Sequence, residues 1–370
     1  MQEQTRYDGV DGLRGLCAFY VMLSHFPRHV WSYTQARPFP KFLFYGDYAH
    51  FAVTASIAIS GFCLCLPIAR NGWIFPWTAR RYYLRRVRRI APPYYVSLGL
   101  SVVLILALIG EKTGSNWDLQ LPLTWGALIA NLVMQQDWWH LYSINGVFWS
   151  LAVEEKIYVV LPFLAKVFAR LGVPVAAFLM FSASFLLARH WDGHPILGCL
   201  TIQYWGVFAL GALGATIVAS PEARWQRWRN FPVALLIPVT LFLVLRYWWW
   251  PLYWRDIPMG VASVATLITI TTRQGNIFTR ILSWRPLAAM GLYSYSLYLI
   301  HQPLQQLLWQ YVVRHLGLTL GWTCLVLVVI GVPFCLLTAY WFYRVFERPF
   351  TNQRGTPHDS RPSCICPQKG

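Results

Sequence analysis

Ten apolar segments of spanning length punctuate this chain, at about 13–30, 49–68, 92–109, 147–168, 173–189, 201–219, 231–249, 257–272, 287–310 and 319–343. Lipid offers no partner to an open backbone, so an apolar run of roughly 18 residues or more crosses it as a helix. The pattern predicts an all-α polytopic membrane protein with about ten transmembrane helices. Composition agrees: 56% of residues are hydrophobic and 12% charged, against roughly 25% charged in soluble domains. A formal net charge of +17 could point to nucleic acid, but the basic residues fall between apolar runs, where the positive-inside rule places them. Nucleic acid is set aside.

The polar start carries Arg6, Asp8 and Asp11, so the first apolar run reads as a retained signal anchor rather than a cleaved leader. Threading the segments alternately from a cytoplasmic start puts 22 of the 31 Lys and Arg inside and eight outside, with Lys156 in a helix. Both termini are therefore expected in the cytoplasm, in a multi-pass membrane protein. Residues 7–350 read as one transmembrane domain and 351–370 as a polar, disordered tail, where Cys364 and Cys366 are too few ligands for zinc. Cysteines 17, 63, 65, 199, 324 and 335 lie in apolar runs and read as small packing residues, with no disulfide framework. The 111–146 segment is the longest outer connection; its run 125–133 is too short to span and either lies in the interface or folds over the bundle. Trp248, Trp249, Trp250 and Trp254 read as an aromatic belt or a carbohydrate-stacking platform.

Several polar residues sit where lipid would reject them. Eleven residues separate Arg14 from His25, about 16 Å along a helix and nearly on one face. An ionisable group in the bilayer costs at least ~2.5 kcal/mol unless it faces protein or a wet cavity. His25 is thus either a functional group or a packing histidine with a satisfied hydrogen bond. Arg80, Arg81, Arg85, Arg86, Arg88 and Arg89 follow Arg70 between the second and third segments. Arginine's planar fork suits phosphate, so a phosphorylated ligand is one reading and anchoring to anionic lipid the other.

In the fourth segment Trp149, Ser150, Glu154, Glu155, Lys156 and Tyr158 interrupt an apolar helix. Glu154 and Tyr158 share a face at 100° per residue, while Glu155 and Lys156 point away. A carboxylate reaching His25 would fix its tautomer and raise its basicity, as a general base requires. His301 follows a run of tyrosines and serines, which reads as interhelical hydrogen bonding or as a site contact. Ser60 and Gly61 are a small pair where a helix or ligand could approach closely. No G-x-S-x-G, Walker A or metal-ligand cluster is present, which removes the main support for soluble hydrolases and nucleotide motors.

Taken together these motifs resemble the acyltransferase-3 family of integral membrane O-acyltransferases. The blocks are Arg14 with His25 inside the run that begins at Asp11, Ser60 to Phe62, the arginine-rich stretch into Ile90 and Pro92, Trp149 to Glu154, Ser294 to His301, and Phe346 to Pro349, in that order. The resemblance implies transfer of an acyl group, most often acetyl, from cytosolic acetyl-CoA or another acyl-CoA to a hydroxyl of a glycan, lipid-linked saccharide or glycosylated metabolite. It implies catalytic roles for His25, Glu154 and Arg14, and donor binding by Arg70, Arg80, Arg81, Arg85, Arg86, Arg88 and Arg89. Asp11, Ser60, Trp149, Ser150, Tyr158 and His301 would support them. Acyl-CoA is then a co-substrate, with no permanently bound cofactor and no metal. Some relatives carry a fused esterase-like domain outside the membrane; none is read in this sequence, so activity that depends on it is not assumed. A saccharide transporter or flippase-like exporter is the alternative of another class, and a scaffold of a glycan-assembly complex a third. A transporter would be expected to show paired repeats and matched helix breaks, and neither is clear in the sequence.

Overall fold

The computed structural model describes residues 7–30, 48–138, 141, 143–194, 197–230, 235–246, 250–273 and 275–351. Trp248, Trp249, Cys364, Cys366 and the tail 352–370 lie outside the described residues. Every element among the described residues is helical: α1 (Asp8–Val30), α2 (Ala49–Arg70), α3 (Ala79–Leu104), α4 (Trp125–Leu132), α5 (Phe148–Leu171), α6 (Val173–Trp191), α7 (Gln203–Ala219), α8 (Ala223–Asn230), α9 (Leu236–Arg246), α10 (Leu252–Thr272), α11 (Ile277–Leu282), α12 (Arg285–Leu292), α13 (Ser294–Tyr311) and α14 (Leu320–Phe342). Among them four helical stretches are long and apolar enough to cross a membrane, Ala49–Arg70, Ala79–Ile109, Val173–Trp191 and Gly321–Phe350. A fifth exists if α7 and α8, bent by 107°, count as one span. Helices α1, α5, α10 and α13 have comparable length, 23, 24, 21 and 18 residues, but carry charged or strongly polar side chains. Three of them, α1, α5 and α13, line the site together with α2 and α3.

Two sequence-derived boundaries change. The arginine-rich stretch is not a loop: α3 starts at Ala79, because the Thr78 side chain accepts a hydrogen bond from the Arg81 amide at 3.3 Å and caps the first turn. The segment 287–310 is two helices broken at Tyr293, beside Gly291, where a Cβ would lie 2.0 Å from the Asp11 carbonyl oxygen. The break lets α1 close against α12. Of the segment 231–249, the described helix covers 11 residues. The connection containing α4 is fastened to the bundle. Tyr94 and Tyr95 hydroxyls donate to the Asn131 and Leu132 carbonyls at the end of α4, at 2.9 and 2.8 Å.

Two apolar cores divide the bundle, one built mainly on α2, α5, α6, α7 and α10 and the other on α3, α13 and α14. Helix α1 contributes to both. Val10, Cys17 and Val21 enter the first core, and Ala18, Met22 and Phe26 the second. At about 100° per residue these two sets flank the direction shared by Arg14 and His25. The polar stripe of α1 therefore rides the seam between the cores.

Prolines stitch the helices together. Each removes an N–H and so frees the carbonyl four residues before it. Pro162 frees the Tyr158 carbonyl, which accepts from the Tyr82 hydroxyl of α3 at 3.0 Å. Pro303 frees the Leu299 carbonyl, which accepts from Ser97 of α3 at 3.1 Å and from the Asn145 amide at 2.9 Å. Helices α2 and α7 instead meet through glycine: a Cβ on Gly61 would lie 2.3 Å from the Phe208 carbonyl oxygen, and one on Gly211 2.3 Å from that of Ala58. Lys156 turns out of the site as its helical position requires, and its Nζ reaches the fully buried Asp137 at 2.6 and 2.7 Å. Burial pushes the Asp137 carboxyl up from the usual carboxylate range and Lys156 pulls it back.

Two stability effects follow from this packing. Gly61→Ala must displace backbone, so it should cost about 1–3 kcal/mol, while Gly99→Ala, which meets nothing within 4 Å, should stay within about 0.5 kcal/mol. Thermal unfolding of the purified protein in detergent reads both. Lys156→Met strands the buried Asp137 and should cost about 3–5 kcal/mol, and the double variant Lys156→Met/Asp137→Leu should recover most of that loss. An equal loss in the single and double variants would show that packing of the lysine stem, not charge pairing, is what matters there.

Candidate active site

Where the polar stripe of α1 meets α2, α3, α5 and α13, a cavity of about 620 Å³ opens. Its wall brings together residues far apart in sequence. Asp11, Arg14, Arg70, Arg86 and Arg89 line it together with Ser60, Ser150, Glu154, Tyr158 and Tyr298.

The arginine end is built by helical spacing. Arg86 and Arg89, three apart on α3, turn onto the cavity wall as i,i+3 neighbours do. Arg86 is half-buried and lies over the rings of Tyr82 and Tyr158, 5.9 and 5.8 Å from their centroids. Arg80, Arg81, Arg85 and Arg88 occupy exposed faces of the same helix instead. Arg70, the last residue of α2, donates to the Tyr7 hydroxyl at 3.0 Å. Arg14 pairs with Asp11 at 3.6 Å, one turn earlier on α1.

Glu154 is held by hydrogen bonds from two helices. Its Oε1 accepts from Ser60 Oγ at 3.1 Å and its Oε2 from the Tyr158 hydroxyl at 2.7 Å. Tyr158 also reaches Ser60 at 3.2 Å, so the three groups close a ring. The i,i+4 relation of Glu154 and Tyr158 was legible in the sequence, whereas Ser60 as their partner was not. Gly61 next to it is where α7 closes on α2, which leaves Ser60 on the cavity side. Arg14 and Arg89 act electrostatically on Glu154.

His25 stands one helical turn past Val21, which lines the cavity. Its Nδ1 lies 2.7 Å from the Val21 carbonyl oxygen and 3.3 Å from Nε2 of His301. The two rings are 5.1 Å apart. His301 is fully buried, and its own Nδ1 faces the Leu297 carbonyl at 3.1 Å. One tautomer assignment satisfies this chain: both Nδ1 atoms carry hydrogen, and His25 keeps its lone pair on Nε2. That is the form a general base needs. The orienting role that sequence offered to Glu154 is filled here by a carbonyl and a second histidine. Glu154 spends both oxygens on Ser60 and Tyr158.

The start of α5 connects the pieces. Ser150 lies 2.7 Å from the Tyr298 hydroxyl, and Tyr298 lies 6.0 Å, centroid to centroid, from His301. Trp149 stacks on Tyr204 at 5.9 Å. Sequence reasoning did not single out Tyr295 and Tyr298, which line the cavity, or Glu347, whose buried carboxylate accepts from Ser296 Oγ. A detectable signal was the tyrosine and serine spacing of α13, which reads first as helix packing. Among the described residues no group of three or more His, Cys, Asp or Glu is placed to hold a metal.

The cavity offers guanidinium groups for an anionic ligand, while His25 and His301 do not line it and adjoin it through Val21 and Tyr298. A family model described as an acyltransferase domain matches residues 7–344. A protein of Bacillus subtilis (strain 168) named "Putative peptidoglycan O-acetyltransferase YrhL" is 22% identical over 309 residues, which cover 74% of this chain and 46% of that protein. The chain thus spans less than half the length of this curated relative. No solved structure matches it. With a match that runs from before the first helix to just past the end of α14, on a helical bundle, this chain belongs to the acyltransferase-3 family of membrane acyltransferases.

Proposed function

We propose that this protein moves an acetyl group from cytosolic acetyl-CoA to a hydroxyl of an envelope glycan, as a multi-pass protein of a bacterial inner membrane. The observation that carries the reading is the cavity lined by Arg14, Arg70, Arg86, Arg89 and Glu154, whose wall includes Val21 and Tyr298, the neighbours of His25 and His301. The B. subtilis relative's name supports a polysaccharide acceptor over a small metabolite.

In this reading the phosphates of the donor bind Arg86, Arg89 and Arg70, with charge-assisted hydrogen bonds that guanidinium forms well. The exposed Arg80, Arg81, Arg85 and Arg88 add a surrounding positive field. The thioester then lies along α1 toward His25. His25 Nε2 takes the proton of the acceptor hydroxyl as that oxygen attacks the thioester carbon. The C–S bond breaks, and the departing thiolate of CoA receives the proton. His301 holds the His25 ring, and Glu154, fixed by Ser60 and Tyr158, keeps Arg14 directed into the cavity.

General-base catalysis is worth about 10² to 10⁴ in rate. His25→Ala should therefore lower transfer of radiolabel from acetyl-CoA to membrane glycan by at least about 100-fold, with unchanged protein level and melting temperature. Arg86→Gln combined with Arg89→Gln should instead raise the KM for acetyl-CoA by about tenfold or more, with a smaller dependence of KM on salt than in wild type. Full transfer by His25→Ala would remove the base assignment, and saccharide export without acetylation would replace the reading with transport.

A further inference from the structure

Helix α3 is longer than a bilayer needs. With the turn that follows it, it runs from Ala79 to Ile109, 31 residues, about 46 Å against a hydrocarbon core of about 30 Å. The roughly 20 residues that cross the core, counted back from Ile109, reach Ile90, and all the arginines of the helix precede it. A second helix marks the same height. The Tyr295 hydroxyl donates to the Ile90 carbonyl at 3.1 Å, and Ser296, the next residue, donates to Glu347 in the turn that ends α14. Arg344 and Arg348 flank Glu347 and are exposed, and Trp341 is exposed one turn earlier. Basic and tryptophan side chains are what a span places where the hydrocarbon ends. Both markers put that edge near Ile90.

The arginines beyond this edge divide between two faces. Arg86 and Arg89 line the cavity. Arg81, Arg85 and Arg88 lie about 100° round the helix from them and are exposed. Followed at helical intervals, their face continues into Tyr95, Gly99, Val103 and Leu106. Val103 and Leu106 are 60% and 72% exposed, and a Cβ on Gly99 would meet nothing within 4 Å. Inside the hydrocarbon such a face meets lipid. Leu84 and Val87, among the arginines, are exposed as well, so the apolar character of this side does not stop at Ile90. No acid balances it: from Asn71 to Gly110 the chain has no Asp or Glu. Among the described residues the guanidinium groups of Arg81, Arg85 and Arg88 make no hydrogen bond or ion pair, and Arg85 lies over the Trp77 ring at 5.9 Å.

We propose that Arg81, Arg85 and Arg88 form a binding surface for anionic phospholipid in the leaflet at this end of the bundle, separate from the arginines that line the cavity. Arg88, Arg85 and Arg81 stand about 3, 8 and 14 Å beyond Ile90, and the headgroup layer is about 5–8 Å deep on each side. The first two lie within that layer, and the long stem of Arg81 lets its head group bend back toward it. A lipid phosphate supplies what the face lacks, an anion for charge-assisted hydrogen bonds. The acyl chains of the same lipid then lie along the apolar stripe of Val103 and Leu106, which a soluble phosphorylated ligand would leave unused. The two partners open to this stretch in the sequence, a phosphorylated ligand and anionic lipid, thus belong to different faces of one helix. This surface goes beyond acetyl transfer and does not rest on it.

The test uses the full chain purified in a neutral detergent and titrated with phosphatidylglycerol or with phosphatidylcholine of the same acyl chains, bound lipids being counted by native mass spectrometry. Each arginine near the surface adds about fivefold to the attraction for anionic lipid, so wild type should bind phosphatidylglycerol at least about tenfold more tightly than phosphatidylcholine. The triple variant Arg81→Gln/Arg85→Gln/Arg88→Gln should bring the two lipids to within about twofold of each other. The double variant Arg86→Gln/Arg89→Gln should keep the wild-type preference. CoA titrated in the same detergent separates a lipid from a soluble source of phosphate: the double variant should lose about tenfold or more in CoA affinity, and the triple variant should lose less. Should the triple variant lose its melting transition, Arg88→Gln alone carries the test, with a preference for phosphatidylglycerol about fivefold lower than wild type. The proposal is overturned if wild type shows no preference for the anionic lipid, if the triple variant keeps that preference, or if the double variant loses it while the triple variant does not. A preference that depends on Arg81, Arg85 and Arg88 in a protein that binds no CoA would uphold the lipid surface and overturn the donor reading instead.

Discussion

A proline inside a helix leaves one carbonyl without its partner, and in an apolar bundle that carbonyl must find a donor on another chain segment. The arrangement of this protein depends on where those donors come from. Tyr82, on the helix that carries the arginines, satisfies the carbonyl freed by Pro162, and that carbonyl belongs to Tyr158, the partner of Glu154. Ser97 and Asn145 satisfy the carbonyl freed by Pro303, two residues before His301. Backbone defects on α5 and α13 thus lock the arginine helix against the carboxylate and the histidine. The chemistry and the stitching share the same turns of helix.

Helix α1 solves a second problem, which is how to carry a guanidinium and an imidazole through an apolar interior. Its two apolar flanks bury in separate cores, so the polar stripe between them faces a seam rather than lipid. The seam widens into the cavity beside Arg14 and narrows to a histidine contact beside His25. Helices that lack strong apolarity, α1, α5, α10 and α13, therefore pack among the apolar ones. Their weakness as independent spans is a consequence of what they carry.

Local periodicity made part of this visible in the sequence. The eleven-residue interval placed Arg14 and His25 on one face, and the four-residue interval did the same for Glu154 and Tyr158; both are properties of a single helix. The partners were not visible, because they come from elsewhere: Ser60 is 94 residues from Glu154, and His301 is 276 from His25. Hydropathy found the existence of most apolar helices but misplaced the start of α3, since six arginines lower its average while Thr78 still caps it. It also joined α12 to α13, because a glycine contact with α1 at Gly291 leaves no mark on hydropathy.

The geometry also bears on the kind of donor. An acyl phosphate or a short acyl anion would hold its charge within a bond or two of the reacting carbon, and a site for it would set arginines beside the base. Here Arg14 and His25 are about 16 Å apart along α1, and Arg70, Arg86 and Arg89 gather with Arg14 rather than with the histidines. In the proposed transfer, a donor that meets both groups would carry its phosphates far from its acyl carbon on a slender, uncharged arm, as a thioester of CoA does, and the hydroxyls of Ser60, Ser150, Tyr158 and Tyr298 line the same cavity as the arginines. The separation of charge from chemistry in the protein mirrors the same separation in such a donor.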